Sequence, residues 1–92
     1  GVEKVLFSNT TPSPKNAGMR NDKDVVILNE IAREVLKHKN VPYNDLYSHV
    51  RSEENYPSLY RRHRRENNCH FNINGNEHLS KSIVPFILEN IK

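Results

Sequence analysis

A short apolar strand, a loop rich in proline and small polar residues, an amphipathic helix and a second short strand follow one another from Val2 to Asn44. That order leaves few folds open. Val5, Leu6 and Phe7 form an apolar run within Val2 to Ser8, as suits a buried parallel strand. Asn9 to Asn21 then collects Pro12, Pro14 and Gly18, the composition of a loop leaving the strand's C-terminal end. Asp22 or Asp24 can cap a helix in which Leu28, Ile31, Ala32, Val35 and Leu36 recur at helical spacing to about His38. This gives it one core face. Asn40 allows it to end, and Val41-Pro42-Tyr43-Asn44 reads as the second strand. A strand–helix–strand unit favours a right-handed crossover between parallel neighbours, so the expected class is α/β.

The second half is more polar. A short helix is expected from Leu46 to Val50, and one helical turn around Ser58 to Arg62 within a polar stretch interrupted by Pro57. The last helix is expected from about Gly75 to Ile91, with Leu79, Ile83, Phe86, Ile87 and Ile91 on one side and a bend at Pro85. Asn74 can cap it, with Glu77 reaching back to the cap's own N–H. His70 then sits in a loop held against a rigid helix start, a common setting for a catalytic base.

Size and charge narrow the functions. A chain of 92 residues is one domain at most, with a modest core. With 35% hydrophobic residues, 27% charged and a mean hydropathy of -0.83, it reads as soluble. It contains no apolar run near the roughly 18 residues a membrane helix needs. The N-terminus lacks the basic and apolar regions of a signal peptide, which leaves export open to whatever preceded it. The formal charge of +3 is concentrated in Arg61-Arg62-His63-Arg64-Arg65. No phosphate loop or interleaved aromatic pattern accompanies that run, which disfavours nucleic acid and favours a solvated face. A single Cys69 excludes an internal disulfide. Asn9-Thr10-Thr11 fits a glycosylation sequon, relevant only in a eukaryotic secretory setting. His63, Cys69, His70 and His78 match no compact zinc spacing, so no metal is expected.

Asn67-Asn68-Cys69-His70-Phe71 resembles the last motif of the SGNH (GDSL-type) hydrolases, which reads Asp-x-x-His, an aromatic, a small polar residue and a Gly-containing helix entry. Three earlier segments extend the resemblance in the same order. Val5 to Pro14 resembles the family's strand and Thr-Thr-Pro-x-Pro loop. Asn29-Glu30-Ile31-Ala32 resembles the following helix, and Val41 to Tyr47 the short strand and Asp-Leu-Tyr turn. The resemblance implies a partial three-layer α/β/α sandwich of flavodoxin-like type with parallel strands, of which residues 1–92 are the C-terminal portion. The family's nucleophile comes from an early Gly-Asp-Ser motif and its oxyanion donors from upstream residues. This sequence has neither Gly-Asp-Ser nor Gly-x-Asn, so the N-terminal half of the domain would be a missing partner.

The implied activity is serine esterase or acetylesterase chemistry on a small-molecule or carbohydrate ester, with no cofactor. His70 would be the general base, and Asn67 stands at the position of the orienting Asp. An amide there can accept the imidazole N–H but brings no charge, and in serine proteases such a change costs about ten-thousand-fold. Asn9, Thr10 and Thr11, at the C-terminal end of the first strand, are the expected substrate contacts, a solvated connection being the alternative. Cys69 is expected to be a small buried residue rather than a nucleophile. A reading of a different class is a noncatalytic interaction module on a hydrolase-like scaffold, with Arg61, Arg62, Arg64 and Arg65 meeting an acidic partner.

Overall fold

The computed structural model describes residues 4–14, 21–63 and 66–91, with backbone alone at 63 and 66–68. The chain is mixed α/β, running β1 (Phe7–Ser8), α1 (Asp22–His38), β2 (Tyr43–Asn44), α2 (Leu46–Arg51), a 3₁₀ turn (Tyr56–Leu59), β3 (Tyr60–His63), β4 (Glu66–Phe71) and α3 (Ile73–Asn90). β1 and β2 pair in parallel, as the sequence led us to expect, but over Phe7 opposite Tyr43 and Ser8 opposite Asn44 alone: residues 4–6 and 41–42 lie outside the strands, and Val5 is exposed rather than buried. β3 and β4 form a separate antiparallel pair, Tyr60 opposite Phe71, with an irregularity between Tyr60 and Arg62.

The crossover helix begins earlier than either expected cap would allow. Asn21, not Asp22 or Asp24, is the cap, its side chain accepting from the Lys23 N–H at 2.9 Å. The two aspartates occupy the first turn, where the helix dipole favours negative charge. At the other end Asn40 takes a positive φ of 55°, a conformation Asn tolerates better than most residues. The Asn40 and Val41 N–H groups then reach the Lys37 and Leu36 carbonyls, closing the helix in a Schellman-type cap before β2.

Three expectations in the second half are corrected. The helical turn lies at Tyr56–Leu59 rather than Ser58 to Arg62, because Pro57 suits a first helical turn and Tyr60 is already extended. The segment bearing His70 is not a loop but strand β4. Its registration comes from side chains of β3 across the ladder: the Phe71 ring stacks on Tyr60 at 4.3 Å, and Arg61 Nε donates to the Phe71 carbonyl at 3.1 Å. Helix α3 then starts at Ile73, capped by Asn72 rather than Asn74. The Asn72 side chain accepts from the Gly75 N–H at 2.8 Å and donates to the carbonyls of Ser58 and Tyr60.

The core lies where α2, the 3₁₀ turn, β3 and α3 meet. Val50, Leu59 and Tyr60 are buried, with Tyr56, Phe71 and Leu79 packed against them. A reciprocal pair ties α2 to α3. His49 Nε2 is 2.7 Å from the His78 carbonyl oxygen, His78 Nε2 is 2.9 Å from the His49 carbonyl, and the rings stack at 4.2 Å. A carbonyl only accepts, so both rings carry hydrogen on Nε2.

Of the apolar face expected to bury α1, Ala32 and Leu36 are half-buried and the rest is exposed instead. Leu28, Ile31 and Val35 are 60%, 56% and 53% accessible, and the buried positions are Val25 and Asn29. On α3, Val84, Ile87 and Leu88 are likewise exposed, as is its C-cap Ile91. Helical spacing says which residues share a face, not what covers it.

Candidate functional site

The residues just past the two parallel strands meet in one polar network. Asn9 follows β1 and is only 6% exposed. Its amide nitrogen donates to the Tyr43 hydroxyl at 2.9 Å and to Asp45 Oδ1 at 2.8 Å, while its oxygen accepts from the Tyr47 N–H at 2.7 Å. Asp45 follows β2 and caps α2, accepting from the Ser48 N–H and hydroxyl at 3.1 and 2.7 Å. Arg33 reaches Asp45 Oδ2 from α1 at 3.2 Å and lies over the Tyr43 ring. Asn29 exchanges two hydrogen bonds with the Thr10 backbone, at 2.9 and 2.8 Å, so the loop leaving β1 is pinned to α1.

These groups line an open cleft of about 320 Å³ whose walls include Asn29, Glu30, Arg33, Tyr43 and Ser48. In parallel α/β sheets this side, at the strands' C-terminal ends, is where ligands gather. Burial works against ionisation of Asp45. Hydrogen bonds from the Ser48 hydroxyl, the Asn9 amide and the Ser48 N–H, with the Arg33 charge, outweigh it and hold the carboxyl below its ordinary value. Asp45 is thus an anionic anchor that fixes three elements, and its lone pairs are largely committed within the chain.

Tyr47, which also lines this cleft, donates to Asp22 Oδ2 at 2.6 Å, and Asp22 Oδ1 accepts from the Ser13 N–H at 2.9 Å. Burial, then the hydrogen bond to Asp22 and its negative charge, push the Tyr47 phenol up to about 12. A proton held more tightly in the folded chain stabilises the fold below the ordinary tyrosine value of about 10, and that contribution disappears as pH rises through about 12. Absorbance titration at 295 nm should therefore show a late tyrosine step near pH 12. Tyr47→Phe should remove it, and a late step that persists in this variant would contradict the assignment.

The expected site residues fall into two groups. Asn9, Thr10 and Thr11 lie together on the loop after β1. Asn9 has its amide engaged internally, Thr10 is exposed, and Thr11 is half-buried. His70 is exposed on β4, between half-buried Cys69 and Phe71, and does not line the 320 Å³ cleft. The Asn67 backbone pairs opposite Arg62, and its side chain lies outside the described residues. Tyr60 connects the two groups, its hydroxyl donating to the Pro12 carbonyl while its ring stacks on Phe71. Arg61 and Arg62 are exposed on β3, whereas Arg64 and Arg65 lie outside the described residues.

Arg33, Tyr43 and Asp45 were not singled out from the sequence as site residues. The available signals were Asp45 before Leu46-Tyr47-Ser48, a helix N-cap pattern, and a polar Asn29 standing between Val25 and Ala32 at helical spacing. Among the described residues no group of three or more His, Cys, Asp or Glu side chains converges to hold a metal ion, and no helix is long and apolar enough to cross a membrane. No family model matches the chain, and neither does any curated protein or solved structure.

Proposed function

We propose that residues 1–92 are the C-terminal portion of an SGNH-type serine ester hydrolase domain, built as a three-layer α/β/α sandwich, with His70 as its general base. The observation that carries this reading is the parallel pair Phe7–Ser8 and Tyr43–Asn44, joined through α1, whose flanking helices keep apolar residues exposed. Parallel sheets are ordinarily covered on both faces and seldom stop at two strands. A further half-domain supplying neighbouring strands would cover Leu28, Ile31 and Val35 and bring the nucleophilic serine and oxyanion donors with it.

In that assembly His70 takes the serine proton as the hydroxyl attacks the ester carbonyl, then returns it to the leaving alcohol. Asn67 orients the imidazole through its amide oxygen. The loop Asn9-Thr10-Thr11 faces the substrate, a small-molecule or carbohydrate ester, with Asn9 shaping the loop from beneath. No cofactor is required for this acyl transfer.

The isolated chain has a base without a nucleophile, so it should neither hydrolyse a chromogenic acetyl ester nor be labelled by a serine-directed phosphonate. Burst acylation of Ser8, Ser13, Ser48, Ser52, Ser58, Ser80 or Ser82 would overturn the reading. An in-frame Gly-Asp-Ser motif in the DNA upstream of Gly1 would support it. The exposure of Arg61 and Arg62 on β3 favours one second reading, a noncatalytic module that meets an acidic partner.

A further inference from the structure

Helix α1 leaves Leu28, Ile31 and Val35 exposed, with Ile27 alongside, on a side distinct from that of its buried Val25 and Asn29. The first three stand three and four residues apart, the spacing of a coiled-coil seam. The two ends of this stripe carry opposite charge. Asp24 lies one turn before Leu28, and His38 and Lys39 follow one turn after Val35, so acid and base are separated by about 21 Å at the rise of an α-helix. Asp24 and Lys39 are exposed, and neither enters an ion pair among the described residues. The charges between them, Glu30, Arg33, Glu34 and Lys37, line the clefts around Tyr43 and leave the stripe apolar.

A stripe that is acidic at one end, apolar along its length and basic at the other is complementary to itself turned end for end. Two copies of α1 laid antiparallel bring their Ile31 side chains together at the centre and set Leu28 of each against Val35 of the other. Asp24 of each copy then comes beside His38 and Lys39 of the other. A parallel pair would place Asp24 on Asp24 and Lys39 on Lys39, and like charges across a seam repel. Burial of the apolar stripe supplies the attraction, and the end charges fix the direction.

We propose that α1 pairs antiparallel with α1 of a second copy of this chain, in a symmetric dimer centred on Ile31. The pairing does not rest on ester hydrolysis. It takes the face that a further half-domain would cover, so the two occupants exclude one another and the second copy holds the face wherever the half-domain is not joined. Four side chains from each copy, each a little over half exposed, make an interface at the small end of the specific range. The dimer is accordingly weak, with a Kd on the order of 100 µM.

Sedimentation equilibrium of the 92-residue chain from about 10 µM to about 1 mM reads the association. The mass should climb from 10.8 kDa toward twice that value. Ile31→Asp puts a carboxylate at the centre of the seam, at a position exposed in the single chain, and should hold the mass at 10.8 kDa with helical circular dichroism unchanged. Asp24→Lys and Lys39→Asp should each weaken pairing about fivefold or more, since each sets like charges together at both ends of the dimer. The double variant Asp24→Lys with Lys39→Asp restores opposite charges only in the antiparallel arrangement, so it should recover the parent Kd. These charge variants decide the matter even where Ile31→Asp unfolds the chain. A mass that stays at 10.8 kDa up to about 1 mM would overturn the proposal and leave the face to the half-domain. So would a dimer that survives Ile31→Asp, or a double variant that pairs no better than the two single ones.

Discussion

Gly75→Ala should lower the stability of the fold by about 2 kcal/mol or more, the cost of overpacking a tight contact. Helix propensity alone gives the opposite sign, since alanine in place of glycine inside a helix is worth up to about 1 kcal/mol in stability. Gly75 sits in the first turn of α3, buried against the 3₁₀ turn and β4. A Cβ there would fall onto the Leu59 carbonyl oxygen and come within 2.7 Å of Phe71 Cδ1 and 2.9 Å of Phe71 Cβ. The carbonyl is backbone and cannot rotate aside, and it already accepts from the Asn72 N–H at 2.9 Å. Relief requires α3 to shift away, which stretches the Asn72 cap on the Gly75 N–H and loosens Phe71 from Tyr60. Urea unfolding followed by helical circular dichroism measures the difference. A midpoint equal to or above that of the parent chain would show that α3 does not dock as described.

The same contacts explain why some of the fold was legible in the sequence and some was not. The β1–α1–β2 unit was legible because its signals are local: an apolar run, a proline-rich exit loop, a periodic helix and an Asn at its end. β4 was not, since Asn67-Asn68-Cys69-His70 has little strand propensity and owes its extension to Tyr60 and Arg61 across the ladder. The Asn74 and Glu77 pattern had the form of a capping box, but Asn72 becomes the cap because its amide also reaches the Ser58 and Tyr60 carbonyls. On α1 the apolar face was identified correctly as a face, while its exposure is a property of tertiary surroundings that no periodicity reports. At the candidate site, Asn9 could be assigned to the end of β1. Its partners Tyr43, Asp45 and Tyr47, however, lie 34 to 38 positions along the chain, so its conversion from surface contact to buried anchor was invisible locally.

When an N-terminal half bearing Gly-Asp-Ser is joined to these residues, His70→Ala should cut ester turnover by at least about a thousandfold, since a positioned general base supplies roughly 10²–10⁴ and its loss also strands the serine nucleophile. Asn67→Asp should act in the other direction. A carboxylate at that position would select the imidazole tautomer whose other nitrogen faces the serine and would stabilise the imidazolium formed during attack, neither of which a neutral amide does fully. The ten-thousand-fold loss for the reverse change in serine proteases sets the ceiling for the gain. A gain in kcat at little change in KM would mark an interaction made in the transition state, whereas a shift confined to KM would point to substrate positioning. The interaction-module reading makes the contrary forecast: polyanion binding that weakens steeply with salt, disappears when Arg61, Arg62, Arg64 and Arg65 become alanine, and ignores His70→Ala. A reconstituted esterase indifferent to both His70→Ala and Asn67→Asp would remove β4 from the catalytic machinery. Salt-sensitive polyanion binding through the same strand pair would then leave β3 and β4 as a docking element.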